Sequence, residues 1–182
     1  MFEPEPEVIR AAQRGDLGAF EEIVRRYQAD LWRLALHLTH NETSAHDVTQ
    51  EAFVRAYRFL SRYRGDSRFS TWLVSITRNC ALDEIRKGER HRRITARLEA
   101  EPVATKELRE EGLGMEVREA LALLPLELRE PIVLIDVLGT SYREVAAIVG
   151  APVGTVKSRV HRGREQLARW LLAADTGRAE EL

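Results

Sequence analysis

Cationic and hydroxyl side chains recur at helical spacing between Val153 and Trp170, near the end of the 182-residue sequence. Arginine can bond guanine with two parallel hydrogen bonds, and serine or lysine can contact bases or phosphates. On a helix, the apolar residues of this stretch fall within one narrow arc, which leaves a polar outer face. That face contains Lys157, Ser158, Arg159, His161 and Arg162. The pattern predicts contact with a nucleic acid, although His161 taken alone is equally well explained as a surface histidine.

The residues before this helix predict how it is held. Ser141 and Glu144 have the spacing of a capping box, which begins a short apolar helix. Gly150 suits the end of that helix, and Pro152 suits the beginning of the next one. This layout is a helix-turn-helix, whose second helix lies in the major groove of DNA. A generic helical hairpin is the alternative, but it explains neither the cap nor the basic outer face.

A second basic stretch lies in the first half of the chain. Residues 53–97 contain 12 Arg and Lys against 4 Asp and Glu, although the whole chain has a net charge of −1. Aromatic residues are interleaved with these cations: Tyr57, Phe59, Tyr63, Phe69 and Trp72. Single-stranded nucleic acid is bound in this way, because bases stack on rings while arginine meets phosphates. Tyr57 and Phe69 are also explained as core residues, whereas Tyr63 lies in a polar loop.

Asp47, Gln50 and Glu51 share one face of a predicted helix. A small acidic and amide patch can dock a basic protein surface by charge complementarity. An ordinary solvated helix face is the alternative reading of these three residues.

The ionisable residues do not suggest catalysis. The carboxylates are scattered, and the histidines lack a metal-ligand spacing such as HExxH. We therefore expect no catalytic residue, no metal site and no cofactor.

Apolar residues recur at three- and four-residue steps, which predicts an all-α protein. We expect two small helical domains, at residues 5–87 and 115–173, joined by a flexible linker at residues 88–114. A helix should begin near Asp16 and another near Asn41, and Ser70 or Thr71 should cap a third. Pro125 and Pro131 should lie where helices begin or in their first turns.

The single cysteine, Cys80, excludes an internal disulfide and favours a reducing compartment. The acidic N-terminus lacks the apolar region of a signal peptide, and no apolar run is long enough to span a membrane. The sequence therefore predicts a cytoplasmic protein without membrane insertion.

Two long stretches resemble a known family. DVTQEAFVRAYRFLSRYRGDSRFSTWLVSITRNCALDEIRK resembles region 2 of extracytoplasmic-function (ECF) sigma factors, in the sigma-70 family. LPLELREPIVLIDVLGTSYREVAAIVGAPVGTVKSRVHRGREQL resembles their region 4. The order, the spacing and the variable segment between them also fit, so the resemblance covers about residues 8–172.

The resemblance implies roles for particular residues. It assigns Asp47, Gln50 and Glu51 to binding of the polymerase β′ coiled-coil, and it implies that the loop 61–71 captures a base flipped out of the −10 element. The residues that it assigns to the −10 element are Phe59, Tyr63, Trp72, Ile76, Arg78, Asn79, Arg86 and Lys87. Those that it assigns to the −35 element are Arg143, Lys157, Ser158, Arg159, His161 and Arg162.

The implied protein directs promoter-specific initiation by core RNA polymerase, which it contacts at the β′ coiled-coil and the β flap. It performs no reaction itself, and an anti-sigma factor is the regulator that the family implies. One alternative is a repressor or activator that has a helix-turn-helix and an N-terminal dimerisation or sensor domain. That alternative predicts tight binding to a two-fold symmetric DNA site without polymerase.

Overall fold

A computed structural model describes the backbone of residues 3–95 and 113–179, and the side chains of residues 3–91 and 117–172. The described residues form helices and turns, without β-strands. This confirms the all-α prediction. Most of the predicted linker, residues 96–112, lies outside the described residues.

The first unit contains four helices: α1 (Pro6–Gln13), α2 (Leu17–Thr39), α3 (Glu42–Phe59) and α4 (Phe69–Thr95). Helices α2, α3 and α4 pack against one another around a core that includes Tyr27, Leu31 and Leu73. Helix α3 contributes small residues to that core, and Ala45 and Ala52 are fully buried. They lie seven residues apart, two helical turns, so their short side chains allow α3 to approach its neighbours closely.

The second unit contains α5 (Leu113–Leu123), α6 (Leu126–Ile132), α7 (Tyr142–Val149) and α8 (Val153–Ala179). One π-helical turn, Val133–Val137, continues α6. The core of the second unit includes Leu121, Leu128 and Val133, together with Val145 of α7 and Val156 of α8.

Local signals predicted several helix ends correctly. The Asp16 carboxylate accepts a hydrogen bond from the Ala19 amide at the start of α2, and Asn41 does the same for Ser44 at the start of α3. The Ser141–Glu144 capping box is formed in full, and Gly150 ends α7 with φ 67°. A residue without a Cβ adopts that left-handed conformation at no steric cost.

Three local expectations are wrong. Helix α4 begins at Phe69, before Ser70 and Thr71, because the Glu3 carboxylate accepts hydrogen bonds from the Phe69 and Ser70 amides. Helix α4 also continues past Lys87 through Gly88 to Thr95, since one glycine costs only about 1 kcal/mol in a helix. Pro131 lies near the end of α6 rather than in its first turn, and the π-helical turn follows it directly.

The two units are in contact, and their buried apolar residues form one continuous cluster. Polar contacts between described side chains join the units, including an ion pair between Arg68 and Glu144 at 3.6 Å. Arg78 of α4 bonds Glu130 of α6. Thr71 of α4 bonds Glu144 of α7, and Arg129 of α6 bonds the Leu38 carbonyl of α2.

Candidate nucleic-acid interface

The outer face of α8 is the first part of the candidate interface. Val156, Val160 and Gly163 face inward and are buried, whereas the residues predicted to contact DNA face outward. Lys157, Ser158, His161 and Arg162 are exposed, as is Arg143 on α7. Arg159 is partly covered, and its guanidinium lies 3.9 Å from the Glu127 carboxylate.

Gly163 lies where α8 crosses α6. A Cβ atom there would overlap the Ile132 Cδ1 atom and lie 3.4 Å from the Leu128 carbonyl oxygen. The glycine therefore allows the basic helix to approach α6, which supports it from behind.

The second part is the loop between α3 and α4, which borders a solvent-open cavity of about 380 Å³. Tyr63 and Trp72 line it, with ring centroids 5.2 Å apart. Tyr63 also packs edge-on against the buried Phe69 ring, at 5.3 Å. The remaining lining residues are Arg62, Arg64, Asp66 and Ser67.

Hydrogen bonds fix the shape of this loop. The Tyr63 hydroxyl donates to the Ser67 carbonyl at 2.7 Å, which closes the turn around Gly65 and Asp66. The Gln13 side-chain amide of α1 donates to the Leu60 and Tyr63 carbonyls, at 3.1 and 2.9 Å. Burial, together with the nearby Glu3 and Asp66 charges, raises the pKa of Tyr63, so its hydroxyl stays protonated at neutral pH. The cavity is thus held open by contacts within the first unit.

The other residues predicted to contact the −10 element form two groups, which are three residues outside the cavity and three cations of α4. Phe59, Ile76 and Asn79 do not line the cavity, although Ile76 and Asn79 extend the α4 face that carries Trp72. Phe59 is 43% exposed and lies under the Arg62 guanidinium.

The three α4 cations that were predicted to contact the −10 element have acidic partners. Arg86 and Lys87 are exposed and lie 3.7 and 3.6 Å from Asp83 and Glu84, so water screens these weak ion pairs. Arg78 differs, because its side chain is only 18% exposed and Glu130 pairs with it.

The sequence predicted this loop as a binding site but did not indicate every residue that lines or supports the cavity. Arg62 and Arg64 line the cavity, and membership of the basic stretch was the only signal for them. Glu3, Glu130 and Glu144 contact α4, and the sequence did not predict these contacts, because they depend on how distant segments pack.

The third part lies on α3, where Asp47, Gln50 and Glu51 are all exposed. Arg55 lies between the Glu51 carboxylate, at 2.6 Å, and that of Asp83, at 3.2 Å. Both hydrogen bonds raise the pKa of Arg55. Beside Gln50 an apolar groove of about 460 Å³ runs between α2 and α3. Its other lining residues are Leu17, Phe20, Val24, Phe53, Val54, Tyr57 and Arg58.

The described residues were also compared with the requirements of a metal site and of a membrane span, and they meet neither. No group of His, Cys, Asp or Glu in the described part could hold a metal ion. No described helix is long and apolar enough to cross a membrane.

Family models match both units. The model of Sigma-70 region 2 matches residues 23–91, and the model of Sigma-70 region 4 matches residues 114–167. The RNA polymerase sigma-H factor of Pseudomonas aeruginosa is 34% identical, over 93% of this chain and 94% of its own length. The ECF sigma factor SigE of Mycolicibacterium smegmatis is 38% identical over 84% of this chain, which spans only 62% of that relative.

Solved structures give the same result. The sigma factor RpoE of Bartonella quintana, in complex with the anti-sigma factor NepR, matches with a TM-score of 0.71 at 30% identity. The match covers 84% of this chain and 96% of that one.

Proposed function

The chain belongs to the ECF branch of the sigma-70 family of RNA polymerase sigma factors, and we propose that its two units recognise the two elements of a promoter. Residues 5–87 bind core polymerase and the −10 element, residues 115–173 bind the −35 element, and residues 88–114 connect them. The chain supplies binding energy to the initiation complex and performs no chemical step itself.

The −35 element is bound by α8 in the major groove. The exposure of Lys157, Ser158, His161 and Arg162 on one face supports this assignment. Arg162 and Lys157 bond base edges or phosphates, and Arg143 holds a phosphate from the neighbouring helix. Arg159 takes part once it leaves Glu127.

The −10 element is bound as a separated strand. A base that leaves the duplex loses a few kcal/mol of stacking and pairing, and stacking on protein rings offsets that loss. The cavity that Tyr63 and Trp72 line is the observation that carries the proposal, because aromatic side chains and neighbouring arginines suit a flipped base on a charged strand. Ile76 and Asn79 continue this face along α4, and Phe59, Arg78, Arg86 and Lys87 meet the strand beside it.

Core polymerase docks on α3. Asp47, Gln50 and Glu51 offer acidic and amide groups to the β′ coiled-coil, and the apolar groove beside Gln50 gives that contact area to bury. The second unit meets the β flap. Because it acts at promoters, the protein functions in the cytoplasm. The RpoE–NepR complex supports an anti-sigma factor as the regulator of this chain.

In vitro transcription with purified core polymerase and a promoter library tests this proposal. We expect transcripts that start at a defined set of promoters and need both the chain and core enzyme. A chain that binds a two-fold symmetric DNA site without core enzyme, and starts no transcript with it, is a repressor or activator instead.

Tyr63→Ala tests the base cavity. Loss of the ring removes a wall of the cavity, so we expect strand opening to fall by about 5- to 150-fold, since base stacking contributes about 1–3 kcal/mol. Permanganate reactivity of the −10 strand measures opening, and a footprint at low temperature measures the closed complex, which we expect to persist.

Tyr63→Phe is the matched control. It keeps the ring and loses only the hydrogen bond to Ser67, so opening should stay close to that of the unmodified chain. Thermal unfolding of both variants shows whether either has lost its fold. Equal loss of closed and open complexes in a folded Tyr63→Ala protein contradicts the cavity's role.

A further inference from the structure

Helix α4 begins without a capping side chain of its own. The Arg68 carbonyl accepts the first hydrogen bond of the helix, from the Trp72 amide at 3.1 Å, so Arg68 occupies the N-cap position. An arginine side chain has donors and no acceptor, so it cannot bond the free amides of the first turn. Those amides therefore need an acceptor from another part of the chain.

Glu3 supplies that acceptor, although it lies 66 residues before Phe69 in the chain. Its Oε2 atom accepts from the Phe69 amide at 2.8 Å, and its Oε1 atom accepts from the Ser70 amide at 3.2 Å. Oε1 also lies 3.4 Å from the Arg68 guanidinium. A carboxylate is favourable here, because the amides at the start of a helix carry partial positive charge. The backbone of Glu3 is held as well, since Arg26 of α2 donates to its carbonyl at 3.3 Å.

The first turn of α4 carries one side of the base cavity. Trp72 lines the cavity, and the Phe69 ring centroid lies 5.4 Å from that of Trp72 and 5.3 Å from that of Tyr63. Phe69 and Trp72 lie three residues apart, within about one helical turn of the Glu3 contact. A shift of this turn would therefore move the Trp72 ring relative to the Tyr63 ring.

A second residue near the start of the chain holds the other side of the cavity. Gln13, the last residue of α1, donates to the carbonyls of Leu60 and Tyr63 at 3.1 and 2.9 Å. Residues 3–13 thus form an N-terminal segment that contacts the cavity's supports on the α4 side through Glu3 and on the loop side through Gln13.

We propose that the N-terminal segment holds the base cavity in its binding geometry, with Glu3 and Gln13 as positioning residues. Neither side chain lines the cavity, so both act through the rings of Trp72 and Tyr63. A loop that is ordered before binding loses less conformational freedom when the flipped base enters, and this strengthens capture of the base. The inference rests on the proposed role of the cavity in binding the −10 element.

The role of Glu3 is local, because the core of the first unit lies elsewhere. The Glu3 side chain is 31% exposed, and buried apolar residues of α2, α3 and α4 form most of that core. Loss of the carboxylate should therefore leave the helical bundle folded while it loosens the first turn of α4.

Glu3→Gln tests the α4 side of the cavity. The new amide keeps one acceptor oxygen and puts a donor in place of the other, so one of the bonds to Phe69 and Ser70 is lost. On a promoter that the unmodified chain uses with core polymerase, we expect strand opening to fall about 2- to 13-fold and the closed complex to persist. Permanganate reactivity of the −10 strand and a footprint at low temperature measure these two steps.

Gln13→Ala tests the loop side in the same assay. It removes both hydrogen bonds to the Leu60 and Tyr63 carbonyls, and we expect a loss of opening in the same range, again with the closed complex retained. Gln28→Ala is its matched control, because Gln28 is exposed on α2. This control should open the strand as well as the unmodified chain.

Two further variants serve as controls for Glu3→Gln. Glu5→Gln makes the same change at an exposed neighbour whose side chain caps no helix, so opening should be unchanged. Glu3→Asp keeps the charge and both acceptor oxygens, so it should recover most of the lost opening.

A double variant distinguishes a role in the cavity from a role in folding. If Glu3 acts through the rings, Glu3→Gln should reduce opening by less than about twofold in a Tyr63→Ala background, where the ring pair is already lost. A change that merely destabilised the unit would multiply with Tyr63→Ala instead. Thermal unfolding gives the folded fraction of each variant, and opening is compared per folded chain.

Three results overturn the inference. One is normal opening by either Glu3→Gln or Gln13→Ala. Another is full multiplication of the losses caused by Glu3→Gln and Tyr63→Ala. The third is loss of the folded state in either single variant, because the segment would then hold the bundle rather than the cavity. Failure of the proposed function differs from all three, since Tyr63→Ala would then open the strand normally or the unmodified chain would not initiate, and the inference would fall with it.

Discussion

At the scale of single residues, identical side chains have different roles because their neighbours differ. Arg162 is exposed on α8 and can bind DNA directly, whereas Arg78 is paired with Glu130. An exposed arginine needs only to approach the duplex. A paired arginine must first leave its carboxylate, so the proposed DNA contact of Arg78 requires that its ion pair with Glu130 breaks.

Gly163→Ala gives a stability prediction at this scale. Alanine favours a helix by up to about 1 kcal/mol, but its Cβ would overlap Ile132 Cδ1 in a packed interior. Overpacking of this kind costs about 1–3 kcal/mol, so we expect a net loss of about 1 kcal/mol in the free energy of unfolding. Urea unfolding followed by circular dichroism measures it.

Two variants control for helix propensity in this experiment. Gly154→Ala makes the same change where no atom lies within 4 Å of the new Cβ, so its stability should be equal or higher. Ile132→Val removes the overlapping methyl group, and in combination with Gly163→Ala it should cost less than the two single changes added together. Strict additivity would show that Gly163 and Ile132 are not coupled.

At the scale of elements, helix α7 is specified by its own residues and α4 is not. Ser141 and Glu144 complete a capping box within four residues of sequence. Glu144 also accepts from Thr71. Burial by itself would raise the pKa of Glu144. The hydrogen bonds from Ser141 and Thr71 and the charge of Arg68 outweigh burial, so the pKa of Glu144 lies below its usual value. The first amide of α4 donates instead to the carboxylate of Glu3, which lies 66 residues earlier in the chain. No local sequence pattern could predict that contact.

Ser141→Ala tests the local cap. The hydroxyl satisfies the Glu144 amide, and loss of such a cap typically costs about 1 kcal/mol. We expect that decrease in the free energy of urea unfolding. Ser141→Thr keeps a hydroxyl and should recover most of it. Equal stability of the alanine and threonine variants would mean that packing alone holds the start of α7.

At the scale of the whole molecule, the contact between units leaves two histidines half-buried beside arginines. His37 and His40 lie near the end of α2, facing Arg129 of α6 and Arg118 of α5. Burial, then the charge of Arg129, lowers the pKa of His40 to about 4. Burial and the Arg118 charge also lower the pKa of His37. Both imidazoles are therefore neutral in the folded chain at neutral pH.

This arrangement predicts that acid destabilises the protein. Between pH 6.5 and about 4 the unfolded chain protonates His40 and the folded chain does not, so the free energy of unfolding falls as the pH falls. The decrease should reach no more than roughly 3 kcal/mol from this residue. Urea unfolding at several pH values between these limits measures it.

His40→Asn is the control for the acid effect. Asparagine tolerates the left-handed conformation at this position, where φ is 54°, and it does not titrate. The dependence on pH should therefore become shallower in this variant. A slope equal to that of the unmodified chain would assign the acid effect to other groups.

The sequence determined the helices, the helix-turn-helix and the positions of both basic stretches. These features depend on residues close together in the chain, such as the pair Ser141 and Glu144 or the spacing of Val156 and Val160 on α8. The loop around Tyr63 was also predictable, because polar and turn residues interrupt an otherwise helical pattern there.

Only the tertiary structure decided which charged side chains are exposed and which are paired with a distant group. Arg78 and Glu130 are 52 residues apart in the sequence. Many oppositely charged residues have a similar separation and are never in contact, so the charge pattern along a chain does not specify such partners. The same holds for Glu3 on α4 and for Arg129 on the Leu38 carbonyl. Local periodicity sets which face of a helix is apolar, whereas the packing of whole helices decides what each polar face meets.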